Sequence, residues 1–209
     1  MLLVKMGKEH KDGGINCQDF AIESKGFKMI VDGCSSCANS EVGAKLFCNL
    51  YPKSGYDVRR TFNVLRALYD SDEDLKNNLL FTINMVTEYE DHFEVATCGD
   101  GYIIKQRHDG SLEYESYDYD NMPPYYAYNL LYNKSSLSKY KDGVDFVRNI
   151  YLKSEYKNIG VSSDGLQYIL NSSHKDEFEQ ILKSGKLLKL KLFINRNINE
   201  FKDDMSIVF

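Results

Sequence analysis

The sequence predicts an α+β fold in which sheets form a sandwich covered by helices. Short apolar or alternating runs, typical of strands, fill the first and middle thirds of the chain, and stretches with helical spacing come between and after them. The order along the 209 residues is strands, helices, strands, helices and a final strand. Segregated runs of this kind indicate an α+β architecture. Because we find no internal repeat or linker, we expect residues 1–209 to form a single domain.

The first third contains three predicted strands and then two predicted helices. The strands are separated by glycine turns and read "LLVKM" (2–6), "DFAIES" (19–24) and "FKMIVDG" (27–33). The pattern then changes, because Val42, Leu46 and Leu50 recur at helical spacing behind an Asn-Ser start. The stretch "GYDVRRTFNVLRALYD" (55–70) repeats this spacing. We therefore expect two amphipathic helices after the first group of strands.

The middle and last thirds predict further strands and one more helical region. Four runs between residues 79 and 117 alternate or are apolar, which indicates an antiparallel meander with Asp100 in a hairpin joint. A tyrosine-rich stretch, "YESYDYDNMPPYYAYNLLY" (114–132), lines a substrate groove or packs at an edge. Residues 174–197 are predicted to be helical in their first half at least, and "KDDMSIVF" (202–209) ends the chain in a strand.

Charge and hydropathy exclude several classes of partner. The formal net charge of -5 provides no basic field, which argues against nucleic acid or an anionic membrane as a partner. No apolar stretch approaches the length of a membrane span, and the apolar run at the start is too short for a signal peptide. We therefore expect a soluble, cytoplasmic protein.

The chain contains five cysteines: Cys17, Cys34, Cys37, Cys48 and Cys98. An odd number without a secretory signal predicts free thiols in a reducing compartment. The Cys-x-x-Cys spacing in "GCSSCANS" also fits a redox pair or half of a zinc site, although no second pair at ligand spacing accompanies it. Two small residues in a Gly/Ser loop are the simpler interpretation.

Aspartates recur where predicted strands begin or end. Asp19 begins a strand, Asp32 and Asp164 end strands, Asp100 lies in a joint and Asp203 precedes the last strand. Turn formation alone would explain Asp164, because Ser-Asp-Gly is good turn chemistry. If these strand ends converge, however, the carboxylates repel unless hard divalent cations neutralise them. A carboxylate pair without a cofactor is the alternative, but it would use fewer aspartates.

Five blocks of the sequence, in order, resemble the signature blocks of the metal-dependent type 2C protein phosphatases. They are "NCQDF", "IVDGCSSCANSEVGAK", "TCGDGYI", "VSSDGL" and "KDDMSIVF". The stretch from Gly7 to His10 also resembles a bacterial branch in which Gly-x-x-His precedes Cys-Gln-Asp. Each block is weak alone, but five in order over the chain form a strong joint signal.

The resemblance implies a four-layer α/β/β/α sandwich with a binuclear Mg²⁺ or Mn²⁺ centre at one end. Asp32 would bridge two ions, the carbonyl of Gly33 would bind one, and Asp164 and Asp203 would bind the other. Asp100 matches the aspartate that would hold a third ion. A hydroxide bridging the two metals would attack phosphorus directly, so no phosphoenzyme is expected.

Four further residues match positions that support the metals through water or orientation. The resemblance implies that Gln18 and Asp19 hold metal-bound waters, and that Thr82 contacts a water. Asp204 stands where the family has an orienting Asn or Asp. Gln18 replaces a glutamate of the family, which keeps an acceptor and removes a charge.

Two departures lie on the substrate side. Gly14 occupies the position of a phosphate-gripping arginine, and Cys34 that of a histidine proposed as general acid. We predict that His10, in a Gly-bounded loop ahead of Asp19, supplies the missing acid; an exposed loop histidine with no role is the alternative.

The sequence thus predicts a metal-dependent serine/threonine phosphatase acting on a phosphorylated protein, with a cognate kinase as a further expected partner. A catalytically weak relative that senses phosphate or acts as a scaffold is the alternative, because both departures affect substrate handling. A structural calcium-binding protein is disfavoured, because no EF-hand run of loop ligands is present.

Overall fold

The computed structural model describes residues 1–120, 122–135, 137 and 139–209. In chain order the strands are β1 (Leu2–Lys5), β2 (Asp19–Ser24), β3 (Phe27–Gly33), β4 (Phe81–Glu88), β5 (His92–Cys98), β6 (Gly101–Arg107), β7 (Leu112–Tyr117), β8 (Val147–Leu152), β9 (Tyr156–Ser162) and β10 (Met205–Val208). They form two antiparallel five-stranded sheets, ordered β1-β10-β9-β6-β7 and β2-β3-β4-β5-β8.

Helices cover the outer faces of both sheets. They are α1 (Lys8–Gly13), α2 (Ser40–Leu50), α3 (Val58–Arg66), α4 (Asp72–Leu79), α5 (Leu166–Leu170), α6 (Lys175–Ser184) and α7 (Leu187–Arg196). Short 3₁₀ turns cover Pro52–Ser54, Tyr126–Leu130 and Ile198–Glu200. No helix among the described residues is long and apolar enough to cross a membrane.

Three apolar clusters hold these layers together. The cluster around Phe47, Phe62 and Phe81 joins α2, α3 and α4 to one sheet. The cluster around Phe178 and Phe193 joins α5, α6 and α7 to the other sheet. Between the sheets, a third cluster contains residues from both: Ile30, Val86, Phe93, Val95, Ile103, Tyr156, Ile159, Val161 and Val208. The predicted sandwich and its four-layer α/β/β/α order are confirmed.

The predicted meander is wrong in one respect. β4 pairs with β5, and β6 pairs with β7, but the two hairpins belong to different sheets. Asp100 therefore lies in a crossing between sheets rather than in a hairpin joint. Gly99 and Gly101 flank it with φ angles of 111° and 131°, a backbone region that other residues rarely adopt. The two glycines permit this backbone path, and the pairing of β6 with β9 places β6 in the other sheet.

Local helix signals account for the other differences from the prediction. The stretch around His10, predicted to be a loop, forms α1, which ends where Gly14 adopts a left-handed φ of 67°. In α2 the predicted apolar residue Val42 is exposed, and the buried face contains Ala44 and Phe47 instead. The helix α4 was not predicted; Ser71 caps it by accepting a hydrogen bond from the Asp74 backbone N–H at 3.1 Å.

Candidate metal centre

Three neighbouring strands end at the same level and bring polar side chains into line. Asp19 on β2 is the register partner of Asp32 on β3, and Asp32 is in turn the partner of Thr82 on β4. Asp19 and Thr82 are 1% and 3% exposed. The side chains of residues opposite one another in a sheet lie on the same face, so this register places all three together.

Burial and mutual repulsion raise the pKa of both aspartates in this line. The pKa of Asp19 rises to about 7, mainly because burial disfavours the charged form. Burial also raises the pKa of Asp32 well above its usual range, and the charges of Asp19, Asp164 and Asp100 raise it further. Carboxyl groups held in this way are suited to a bound cation, which would restore their ionised form.

Two further aspartates approach from the other sheet. Asp164 follows β9, and its pKa rises to about 7 through burial and then through the charges of Asp100 and Asp203. Asp100 in the crossing has a raised pKa, caused by burial and then by Asp118 and Cys34. The charges that raise the pKa values of Asp32 and Asp164 come from neighbouring aspartates at this edge of the sandwich. These aspartates are Asp19, Asp100 and Asp203, together with Asp164 itself for Asp32.

Asp204 joins the two ends of the chain beneath this group. Its Oδ1 accepts a hydrogen bond from the Gly7 backbone N–H at 2.8 Å, and its Oδ2 accepts one from the Gln18 backbone N–H at 2.6 Å. It is only 3% exposed. A buried carboxylate that receives backbone donors on both oxygens is rigidly held. Asp204 therefore fixes the strand start of Asp19 relative to the turn that carries Asp203.

His10 is buried against the same two aspartates. Its Nδ1 lies 3.0 Å from Asp204 Oδ2 and its Nε2 lies 3.4 Å from Asp203 Oδ1. The side chain is 9% exposed, so the alternative of an exposed loop histidine is wrong. Among the described residues, His10, Asp203 and Asp204 are the group of three whose potential ligand atoms all lie within 4.8 Å of one another. Asp32, Asp164 and Asp203 do not form so tight a group.

Gln18 and Gly33 are packed against the start of α2. Gln18 Nε2 donates to Ser40 Oγ at 2.9 Å and to the Cys34 carbonyl at 3.4 Å. The Gly33 backbone N–H donates to the Gln18 carbonyl at 3.1 Å. A Cβ on Gly33 would lie 2.8 Å from Ser40 Oγ, so glycine is required for this close approach. The side-chain amide oxygen of Gln18, Oε1, is buried and has no hydrogen-bond partner among the described residues.

Three buried oxygen atoms without a hydrogen-bond partner show whether the residues of this site suit hydrated divalent ions. Gln18 Oε1, Asp19 Oδ1 and Thr82 Oγ1 are buried and have no hydrogen-bond partner among the residues that the structure describes. Asp19 Oδ2 already accepts from Ser163 Oγ at 2.7 Å, so its Oδ1 depends on a proton shared with Asp32 or on an outside partner. Buried polar groups are normally satisfied. A set of oxygens around carboxylates is the chemistry that Mg²⁺ and Mn²⁺ prefer, so the residues fit such ions.

Two residues of the site were missed by sequence reasoning. Tyr125 is buried in the apolar cluster against which Cys34 packs. Burial raises the pKa of its hydroxyl group, and the charges of Cys34, Asp100 and Asp32 raise that pKa further. Asp118 is close enough to Asp100 to raise that residue's pKa. Both belong to the tyrosine-rich stretch, whose Asn121 lies outside the described residues. The clustering of Asp and Tyr around paired prolines was the available signal.

Comparison with solved structures identifies the fold. A bacterial serine phosphatase superposes with a TM-score of 0.66 at 13% identity, covering 99% of this chain and 94% of that one. The serine/threonine phosphatase Stp1 from Staphylococcus aureus superposes at 0.61 and 13% identity, with 99% and 92% coverage. The serine/threonine phosphatase of S. agalactiae superposes at 0.62 and 18% identity, with 99% and 96% coverage.

The chain has the fold of bacterial serine/threonine phosphatases. At such low sequence identity the likeness shows the fold alone, and any chemistry has to be argued from the residues of the site. The sequence matches no protein-family model and no curated protein.

Proposed function

We propose that this protein hydrolyses phosphoserine and phosphothreonine in proteins at a binuclear Mg²⁺ or Mn²⁺ centre. The observation that carries the proposal is the line of Asp19, Asp32 and Thr82, with Asp164 close enough for its charge to raise the pKa of Asp32. Asp19 is buried and Asp32 and Asp164 are half-buried, and among the described residues the charges that shift their pKa values most are those of other carboxyl groups. The resemblance of the sequence blocks to those of metal-dependent phosphatases, and the fold shared with bacterial serine/threonine phosphatases, support this assignment. A phosphorylated protein is then the substrate, and the kinase that phosphorylates it is the cognate partner.

Each residue has a specific part in this proposal. Asp32, Asp164, Asp203 and the Gly33 carbonyl hold two ions, and Asp100 offers a position for a third, next to Asp118. When bound, the ions supply an activated water and neutralise charge that develops on the phosphoryl oxygens. Asp204 orients Asp203, because the Asp204 backbone N–H donates to Asp203 Oδ1 at 2.8 Å.

The buried oxygens complete the site by positioning water. Within the described part of the chain, Gln18 Oε1, Asp19 Oδ1 and Thr82 Oγ1 have no hydrogen-bond partner, and each could hold a water molecule in the shell of the ions. Because these atoms are fixed by sheet register and by Ser40 and Ser163, little reorganisation is needed when the site fills.

A weak or inactive relative that senses phosphate is the second candidate. Gly14, which occupies the position of the family's phosphate-gripping arginine, is exposed and adopts a left-handed φ of 67°. An arginine there would be strained, so any phosphate contact must come from another residue. This observation affects substrate binding and leaves the proposed metal ligands intact.

One assay tests the proposal and separates the candidates. Hydrolysis of an aryl phosphate and of a phosphothreonine peptide is measured with Mn²⁺, Mg²⁺, Ca²⁺ or excess chelator. We expect turnover with Mn²⁺ or Mg²⁺, and its loss in chelator without unfolding, since the apolar clusters hold the fold without ions. Equal turnover in chelator would contradict the binuclear centre. Phosphopeptide binding without turnover in any metal would favour the sensing relative.

We further propose that His10 donates a proton to the leaving oxygen. Its Nε2 lies beside Asp203, a proposed ligand, which places a proton close to the reacting groups. His10→Ala should then slow a phosphopeptide with a poor alkoxide leaving group far more than an aryl phosphate. If both substrates slow equally, His10 positions Asp203 and Asp204 instead. If neither slows, His10 has no part in the chemistry.

A further inference from the structure

The Cys34–Cys37 turn lies at the edge of the candidate metal centre. Cys34 directly follows Gly33, and the Cys37 backbone N–H donates to the Cys34 carbonyl at 3.0 Å. A turn closed by this hydrogen bond brings the first and fourth Cα atoms within about 7 Å. Disulfides span Cα separations of about 4.4–6.8 Å, so the turn already has a compatible span.

Both cysteine side chains pack against the same apolar cluster. Cys34 Sγ lies 3.1 Å from Ser36 Oγ, a residue of the turn that separates the two cysteines. Both cysteines are partly exposed, in contrast to Cys48 and Cys98, which are buried. A small oxidant can therefore reach this pair, and a bond between the sulfurs needs only side-chain rotation within the turn.

We propose that Cys34 and Cys37 form a reversible disulfide when hydrogen peroxide oxidises them, and that this disulfide switches the neighbouring site off. One thiol attacks a peroxide oxygen, so that an S–O bond forms, the O–O bond breaks and water leaves. The second thiol then attacks that sulfur, an S–S bond forms, the S–O bond breaks and a second water leaves. The two sulfurs together lose two electrons, and the peroxide gains them.

The contacts of Cys34 connect this chemistry to the site. Its backbone is fixed, because its N–H donates to the Leu80 carbonyl at 2.9 Å and its carbonyl accepts from Ser40 Oγ at 2.9 Å. Closure must therefore move the Cys34 side chain, which packs against the apolar cluster that contains Tyr125. The Tyr125 hydroxyl lies near Asp32 and Asp100. Disulfide formation thus rearranges the wall of the centre.

The first test maps the disulfide without using activity. The full chain is treated with hydrogen peroxide, remaining thiols are alkylated, and digested peptides are analysed by mass spectrometry. We expect a peptide linking Cys34 to Cys37 that a dithiol reductant opens. Two alkylated thiols at these positions, or only irreversible acids, would overturn the proposal. Cys37→Ser is the matched variant, which keeps the turn and removes one sulfur.

The second test measures the switch and rests on the proposed phosphatase activity. We expect oxidation to lower turnover by about tenfold or more, as loss of groups around metal ligands does, with recovery after reduction. Cys37→Ser should keep its turnover at the same peroxide dose. If the mapped disulfide leaves turnover unchanged, the switch is wrong. If the untreated, metal-loaded protein has no turnover, the proposed function has failed, and the mapping result stands by itself.

Discussion

Asp32 occupies the middle of the line formed by Asp19, Asp32 and Thr82. We expect Asp32→Asn and Asp164→Asn each to lower turnover at least about a hundredfold, because each substitution removes charge from a proposed metal ligand. Steady-state kinetics with Mn²⁺ measures this. Asp142→Asn, at an exposed turn, is the matched control and should keep full activity. A fully active Asp32→Asn would show that the ligand assignment is wrong.

The third-ion position predicts a smaller effect. Asp100→Asn should leave the affinity for the first two ions nearly unchanged, because Asp100 lies in the sheet crossing next to Asp118, while Asp32 lies between two strands. Calorimetric titration with Mn²⁺ counts the ions bound by the original chain and the variant. Loss of all ion binding in Asp100→Asn would place Asp100 among the main ligands.

The raised pKa of Asp164 has a consequence for stability without metal. Burial raises this pKa from 3.8 to about 7, so the folded chain binds a proton that the unfolded chain has released. The unfolding free energy of the metal-free protein should therefore fall as pH rises through this window. Asp164→Asn should flatten the fall, as measured by urea denaturation in chelator from pH 4 to pH 7. An unchanged slope in the variant would contradict the shift.

Among the elements, the sheet crossing at Gly99 positions Asp100. A Cβ on Gly99 would lie 2.5 Å from the Thr82 Cβ, and its φ is 111°. Gly99→Ala should therefore combine backbone strain with overpacking of about 1–3 kcal/mol, and should displace Asp100. Gly110→Ala is the matched control, because Gly110 has a φ of 86° and open space where a Cβ would be.

Thermal or urea denaturation of the two glycine variants separates these contributions. Gly110→Ala reports the loss of stability caused by backbone strain, which both substitutions share. Any additional loss of stability in Gly99→Ala then reports the overpacking against Thr82. We also expect Gly99→Ala alone to weaken turnover. Equal destabilisation by the two substitutions would mean that the crossing relaxes away from Thr82.

The first strands were predictable because their signals are local. The runs at 19–24 and 27–33 match β2 and β3, since alternating side chains and glycine turns act within a few residues. The crossing at Asp100 was not predictable in this way, because a Gly-Asp-Gly joint fits a hairpin equally well. Whether the joint forms a hairpin or a crossing depends on the pairing of β6 with β9, a strand about fifty positions further along the chain.

The residues of the candidate site also divide into those predictable from local sequence and those that depend on long-range contacts. The aspartates were predicted from strand ends and from block resemblance, and Asp32 and Asp164 lie near enough to other aspartates for those charges to raise their pKa values. Their role as metal ligands stays a prediction. The burial of His10 against Asp203 and Asp204, and the contact of Tyr125 with Cys34, depend on segments that are far apart in sequence. Sequence spacing contains no information on such contacts, so those two features became visible only in the folded chain.

For the whole molecule, we expect Asp204 to contribute mainly to the stability of the fold and Asp203 mainly to turnover. Asp204→Asn replaces an acceptor oxygen by a donor facing the Gly7 and Gln18 N–H groups, so it should destabilise the metal-free protein by about 1–3 kcal/mol. Asp203→Asn, at a side chain that is 38% exposed, should affect stability far less and still lower turnover. Urea denaturation in chelator, beside kinetics with Mn²⁺, distinguishes the two. Equal losses of stability would contradict this division.

The pairing of β1 with β10 places the two ends of the chain side by side, and Asp204 fixes Gly7 and Gln18 just beyond that pairing. During synthesis β1 therefore lacks its partner until β10 has left the ribosome. Asp203 and Asp204 are made after every other proposed residue of the centre. A nascent chain that does not yet include them holds an incomplete centre, so we expect no hydrolysis before residue 204 has emerged and the two strands have paired.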